Sequence, residues 1–194
     1  MPFSQTRYQV RFDWGAAGLA RVEPADVTVI VDVLGTDVVA RVAAGETVDA
    51  PAPLARTAAG GSLVLWGALC NATAVAEAIG AHQRQRQART SVAVIAVGDP
   101  ASAPADAPVR FAVEDLLGAG AIVDALSTVG IDHSSPEAAA AAVAFQGLRG
   151  AVRHLLAASD SGSGADRDAV RDAATIDGVP VVPVLGARGF HAHV

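Results

Sequence analysis

Apolar residues fall in two rhythms along this chain, and the rhythms predict its elements. Tyr8 to Phe12 alternates side chains as a first strand does. Val27 to Leu34 is a nearly continuous β-branched run, which suits a strand buried on both faces of a parallel sheet. Thr36 to Ala44 reads as a short helix ended by Gly45. Ser62 to Ala68 is a second apolar strand, followed by a helix from Asn71 to Gln87. Ser91 to Val97 is a third buried-type strand, and Pro100 to Pro108 reads as a surface loop. A helix is expected over Glu114 to Thr128. Another starts at Ser135-Pro136 and runs to Ala158, with an apolar stripe of Val143, Gly147, Leu148, Ala151, Val152 and Leu155. Ser159 to Gly164 reads as a flexible loop, Asp166 to Ala174 as a short helix and Val179 to Leu185 as a last strand. The prolines of that strand favour an edge or a strand end. Strands alternating with helices predict a single α/β domain over 1–194, with three layers α/β/α and a largely parallel central sheet.

Bulk properties narrow the class. The chain has 194 residues, 52% of them hydrophobic, and a mean hydropathy of +0.38. Much of that is alanine, which lets helices pack closely on a sheet and leaves room for a homo-oligomer. The net charge of -6, without a basic run, argues against a nucleic-acid partner. No apolar run has membrane-spanning length, and the first residues lack the apolar core of a signal peptide. The single Cys70 leaves no internal disulfide, and no Cys/His spacing suggests zinc. A cytoplasmic protein is the expectation.

Candidate chemistry gathers near predicted strand ends. Asp32 lies at the end of a run too apolar for an unpaired carboxylate. It either serves a ligand site at the carboxyl edge of the sheet or bonds to the following turn. Asn71 opens a helix, either as its N-cap or beside free N–H groups that receive a phosphate. Glu114 and Asp115 head a helix, where they complement its dipole or hold Mg²⁺. Neighbours on one turn point about 100° apart, so one of the two is expected to face a given site. Gly118 and Gly120 follow in the same helix, where each glycine costs roughly 1 kcal/mol against alanine. Either close packing or an approaching ligand explains them. The basic end His82 to Arg89 reads as a solvated face, and His191 and His193 lie close to the last residue. Gly118-Ala119-Gly120 lacks the third glycine of a dinucleotide fingerprint, and Ser161 to Gly164 lacks the lysine of a phosphate loop.

Taken together, four blocks resemble the 2-phosphosulfolactate phosphatase family, Mg²⁺-dependent enzymes of the coenzyme M route. They are Arg7 to Gly15, Val29 to Leu34, Gly67 to Ala76 and Phe111 to Val123, with Val181 to Leu185 as a closing match. Their order and spacing hold over most of the chain, and Glu-Asp-Leu-Leu-Gly-Ala-Gly-Ala is the most specific of them. The resemblance implies hydrolysis of a small phosphorylated acid. Asp32 and Glu114 would be metal-binding or acid/base carboxylates. Asn71 would receive the phosphate, and Asp115, Gly118 and Gly120 would shape the wall of the site. Departures are also present. Gly35 stands where the family commonly has Arg or Ser, and Ala50 to Gly61 replaces a longer segment with an Asn-Gly turn. Ala96 or Val97 takes the place of a family cysteine. Lost clamps weaken phosphoryl transfer, which depends on positioning and charge. Weakened activity, or a non-catalytic homologue that binds a ligand or partner, is the alternative.

Overall fold

A computed structural model describes residues 4–35, 37–49, 61–99 and 109–193. Its centre is a six-stranded sheet. Strands β1 (Val10–Trp14), β2 (Val27–Val31), β3 (Leu63–Gly67) and β4 (Val92–Ala96) are parallel, in the order β1-β4-β2-β3. β5 (Pro183–Gly186) adds antiparallel to β3, and β6 (Gly189–Ala192) closes the edge antiparallel to β5. Every residue of β2 and β4 is buried, as their β-branched runs require of central parallel strands. Pro183, which cannot donate to a ladder, stands at the first position of β5.

Helices lie on both sides of this sheet. α1 (Gly15–Arg21) follows β1, and α2 (Val38–Ala43) follows β2. After β3 a 3₁₀ turn (Leu69–Asn71) leads into α3 (Ala72–Arg86). α4 (Val113–Thr128) and α5 (Pro136–Leu148) are the other long helices. α6 (Val152–Ala158), α7 (Asp160–Ser163) and α8 (Arg167–Ala173) are short. α4 packs on the sheet face that carries Val29 and Val31. On the opposite face Trp66 meets Phe190 edge-on, with ring centroids 5.3 Å apart. The α/β class and the largely parallel sheet agree with the sequence reading. Among the described residues, no helix is long and apolar enough to cross a membrane.

Several local expectations change. α1 and β6 were not anticipated from the sequence. The helix expected from Pro136 to Ala158 is broken by a 3₁₀ turn at Arg149–Ala151. Its buried face is Ala138, Ala141 and Phe145, then Val152 and Leu156. Val143 is 66% exposed and Leu148 39%. The expected stripe was therefore placed on the wrong side of α5, because so alanine-rich a helix carries almost no amphipathic contrast. The loop expected at Ser159 to Gly164 contains α7, whose N-cap Ser159 accepts a bond from the Gly162 N–H. The expected loop at Pro100 to Pro108 and the shortened segment at Ala50 to Gly61 lie largely outside the described residues.

Candidate active site

Three carboxylates meet where β2 and β4 end. Parallel register pairs Val31 with Gly67 and with Ala96, so Asp32, Ala68 and Val97 emerge together at the carboxyl edge. Asp32 turns into a tight bend, in which its Oδ1 accepts a 2.6 Å hydrogen bond from the Gly35 N–H. A Cβ at Gly35 would overlap the Asp32 carboxylate itself. An Arg or Ser at this position would have to push the Asp32 carboxylate out of its present place in the turn.

α4 brings in the other two. Glu114 and Asp115 are 3% and 2% exposed. Asp115 is spoken for by backbone: its Oδ1 accepts from the Val33 N–H at 2.9 Å, and its Oδ2 from the Gly98 N–H at 2.8 Å. These donors lie just beyond β2 and β4, so one side chain ties two strand ends together. Gly98 sits at φ +71, where a Cβ would collide with Val109 and with the Arg110 carbonyl. Glu114 is different, because its buried Oε2 has no hydrogen-bond partner among the described residues. A buried polar atom left unpaired costs about 1–3 kcal/mol, and more when charged, so this atom calls for a function.

Electrostatics couple the group. Burial pushes the Asp32 carboxyl up to about 6; the Gly35 N–H opposes the rise and the Glu114 charge adds to it. Asp115 is held well above the ordinary carboxylate range. Burial is the main cause, Asp32 adds to it, the Val33 and Gly98 N–H groups oppose it, and Glu114 contributes least. Such mutual repulsion in a buried setting is what a cation or a shared proton relieves.

The donor set suits a hard cation in one specific way. Mg²⁺ usually keeps several waters and takes one or two protein carboxylates together with substrate phosphate oxygens. Among the described residues, no set of three or more His, Cys, Asp or Glu side chains is arranged to hold one ion. Asp32 and the unpaired oxygen of Glu114 fit the sparser arrangement, whereas Asp115 has both oxygens committed.

Asn71 does not join this group through its side chain. It is fully buried. Its Oδ1 accepts from the Ala68 N–H at 2.8 Å, and its Nδ2 donates to the Trp66 and Val181 carbonyls at 3.2 and 3.0 Å. It makes no N-cap bond to α3. The helix start expected to receive a phosphate holds another carboxylate: Asp177 accepts from the Thr73 N–H at 2.7 Å and from its hydroxyl at 2.8 Å. Nothing local in the sequence pairs Asp177 with Thr73. Gly118 and Gly120 serve packing. A Cβ on Gly118 would come 2.7 Å from Val33 Cγ2, and one on Gly120 would overlap the Ala141 carbonyl of α5. Of the two explanations for glycine in α4, close packing is the one the structure displays.

The chain is an α/β protein whose open, largely parallel sheet brings acid residues together at the carboxyl ends of its central strands, the edge at which open α/β sheets generally take ligands. More specifically, the chain belongs to the 2-phosphosulpholactate phosphatase family, whose model matches residues 38–187. The matched stretch contains Asn71, Glu114, Asp115, Gly118 and Gly120 and begins just after the Asp32 turn. No curated protein matches the chain at a significant level.

Proposed function

We propose that this chain hydrolyses a small phosphate monoester at the carboxyl edge of its sheet, in the manner of a 2-phosphosulfolactate phosphatase. The observation that carries this reading is the buried, unpaired Oε2 of Glu114 beside the elevated carboxyl of Asp32. Asp32 and Glu114 would hold Mg²⁺. When bound, the ion would neutralise charge on the phosphate oxygens. If Glu114 alone held the ion's protein contact, Asp32, near 6 in the metal-free protein, would instead be free to hold or release a proton close to neutrality, as general acid/base work requires. Gly35 orients it through the turn, and Asp115 keeps the β2 and β4 ends at fixed separation. Asn71 supports the β3 end from behind and is not proposed to touch substrate.

A specific observation favours the second reading, a binding homologue with little or no catalysis. The start of α3 already holds the Asp177 carboxylate, and Gly35 brings no cationic side chain. Each missing 1.36 kcal/mol of transition-state stabilisation is about tenfold in rate, so turnover of 2-phosphosulfolactate is expected to be slow. A steady-state phosphatase panel with Mg²⁺, run beside calorimetric Mg²⁺ titration, tests both readings. Mg²⁺-dependent turnover lost in Asp32→Asn and Glu114→Gln supports catalysis. Absence of both turnover and Mg²⁺ binding across the panel defeats it.

A further inference from the structure

The outer edge of β1 is closed by a side chain. β1 stands first in the strand order, so one side of it has no neighbouring strand. Such an edge presents a row of backbone N–H and C=O groups to which another chain can pair. The parallel register fixes which residues these are. The Gln9 carbonyl accepts from the Val92 N–H, so the odd-numbered residues of this stretch turn their backbone groups to β4. Val10, Phe12 and Trp14 turn theirs outward.

Each outward N–H has its own acceptor. Val10 donates to the His133 carbonyl at 3.1 Å, and its carbonyl accepts from the Ser135 N–H at 2.8 Å. Trp14 donates to Asp13 Oδ1 at 2.8 Å. Phe12, between them, is served by Gln5. Gln5 Oε1 accepts from the Phe12 N–H at 3.0 Å, and Gln5 Nε2 donates to the Phe12 carbonyl at 2.9 Å. This double exchange is the one a residue of an antiparallel strand makes with its hydrogen-bonded partner. Gln5 makes it from a backbone at φ +53, uncommon for a residue other than glycine. The segment is anchored on both sides: the Ser4 carbonyl accepts from the Glu23 N–H at 2.8 Å, and the Gln5 carbonyl from the Tyr8 N–H at 3.0 Å. Alongside lies a cleft of about 540 Å³ bordered by Gln5, Phe12, Trp14, Leu116 and Ala140, so the edge has room for added chain.

We propose that the Gln5 side-chain amide is a stand-in for a neighbouring strand, and that it keeps β1 from pairing with β1 of a second copy of this chain. The segment is self-complementary. Antiparallel pairing about Asp13 sets Phe12 opposite Trp14 of the other copy, twice by symmetry, and aromatic pairs across strands are stabilising. Asp13 would face its own counterpart, but each carboxylate is already held by Arg21 through hydrogen bonds of 2.9 and 2.8 Å. Val10 takes no part, since the backbone of His133 and Ser135 holds it. The open stretch is short, Phe12 to Trp14, which is why one amide suffices to close it.

Two variants test this. Gln5→Gly removes the amide and suits the left-handed backbone. Gln5→Leu keeps the bulk and removes the hydrogen bonds. Amide hydrogen exchange and molar mass by sedimentation equilibrium over a concentration series are read for both, beside the parent protein. In dilute solution, exchange at the Phe12 N–H is expected to quicken at least about tenfold, with Val10 unchanged. In concentrated solution, the average mass is expected to climb above that of the parent. Unchanged exchange at Phe12 overturns the proposal. Equal acceleration at Val10 and Phe12 overturns it too, because that marks loosening of the whole strand rather than loss of one cap. A mass that follows the parent at every concentration overturns it as well, since an opened edge would then have no tendency to pair.

Discussion

Two adjacent residues of α4 illustrate how differently neighbours can be used. Asp115 receives a backbone N–H on each oxygen, while Glu114 keeps one oxygen bare. Replacing Asp115 by alanine strands the Val33 and Gly98 donors, each costing about 1–3 kcal/mol when buried. Asp115→Ala is therefore expected to lose about 3 kcal/mol in urea unfolding, and Asp115→Asn, which keeps one acceptor, roughly half of that. A loss below about 1 kcal/mol in the alanine variant would mean that the strand ends are held by other contacts. The sequence marked these carboxylates as a pair of which one was expected to face a site, but it did not show what Asp115 bonds. It offered Asp115 to substrate because its true partners, Val33 and Gly98, are fixed only by the parallel register. Asp32 drew notice because a carboxylate in an apolar run is a local fact, readable from the flanking residues, and Glu114 because it heads a helix. The bonds of Asn71 and Asp177 were not legible, since hydrogen bonds across 104 or 110 residues leave no trace in spacing.

At the scale of the element, α4 is organised by its glycines. Gly118 lets the helix settle on Val31 and Val33, and Gly120 lets α5 cross at backbone contact with Ala141. Substituting alanine at an ordinary helical glycine gains roughly 1 kcal/mol of propensity. Gly120→Ala is expected to do the reverse. The new methyl overlaps the Ala141 carbonyl and lies 2.8 Å from Phe145 Cβ, so α5 must move, at a cost of about 1–3 kcal/mol. A lowered midpoint in thermal unfolding checks it, with Gly147→Ala on the open face of α5 as the control that should not fall. Strands β2, β3 and β4 could be read directly because their apolar runs match full burial on both faces. α5 misled because a helix made mostly of alanine packs by close approach rather than by an apolar stripe. α1 and β6 escaped because each is too short for its periodicity to show.

Across the whole molecule, β2 runs between two carboxylates with opposite fates. Asp32 at its carboxyl end is pushed up to about 6. Asp26, at the amino end, is lowered to about 2: burial alone would raise it, but the Ser91 N–H, the Ser91 hydroxyl and Arg86 outweigh that. The amino edge therefore stabilises the fold, while the carboxyl edge holds groups in states that folding alone disfavours, as ligand sites do. The sign at Asp26 follows from its depressed value. Its contribution is present above the unfolded pKa near 4 and is lost as pH falls through about 2. A shift of this size corresponds to about 2 kcal/mol, reduced to roughly 1 by the partial exposure of the Arg86 pair. Asp26→Asn should accordingly lower the urea midpoint at pH 7 by an amount equivalent to about 1 kcal/mol, and the gap to the parent protein should narrow steadily as the pH is taken from 5 towards 3. A gap that stays constant over that interval would show that Asp26 acts through packing rather than through its charge. The comparison is best made without divalent cations, so that the metal proposed at the carboxyl edge adds no term of its own.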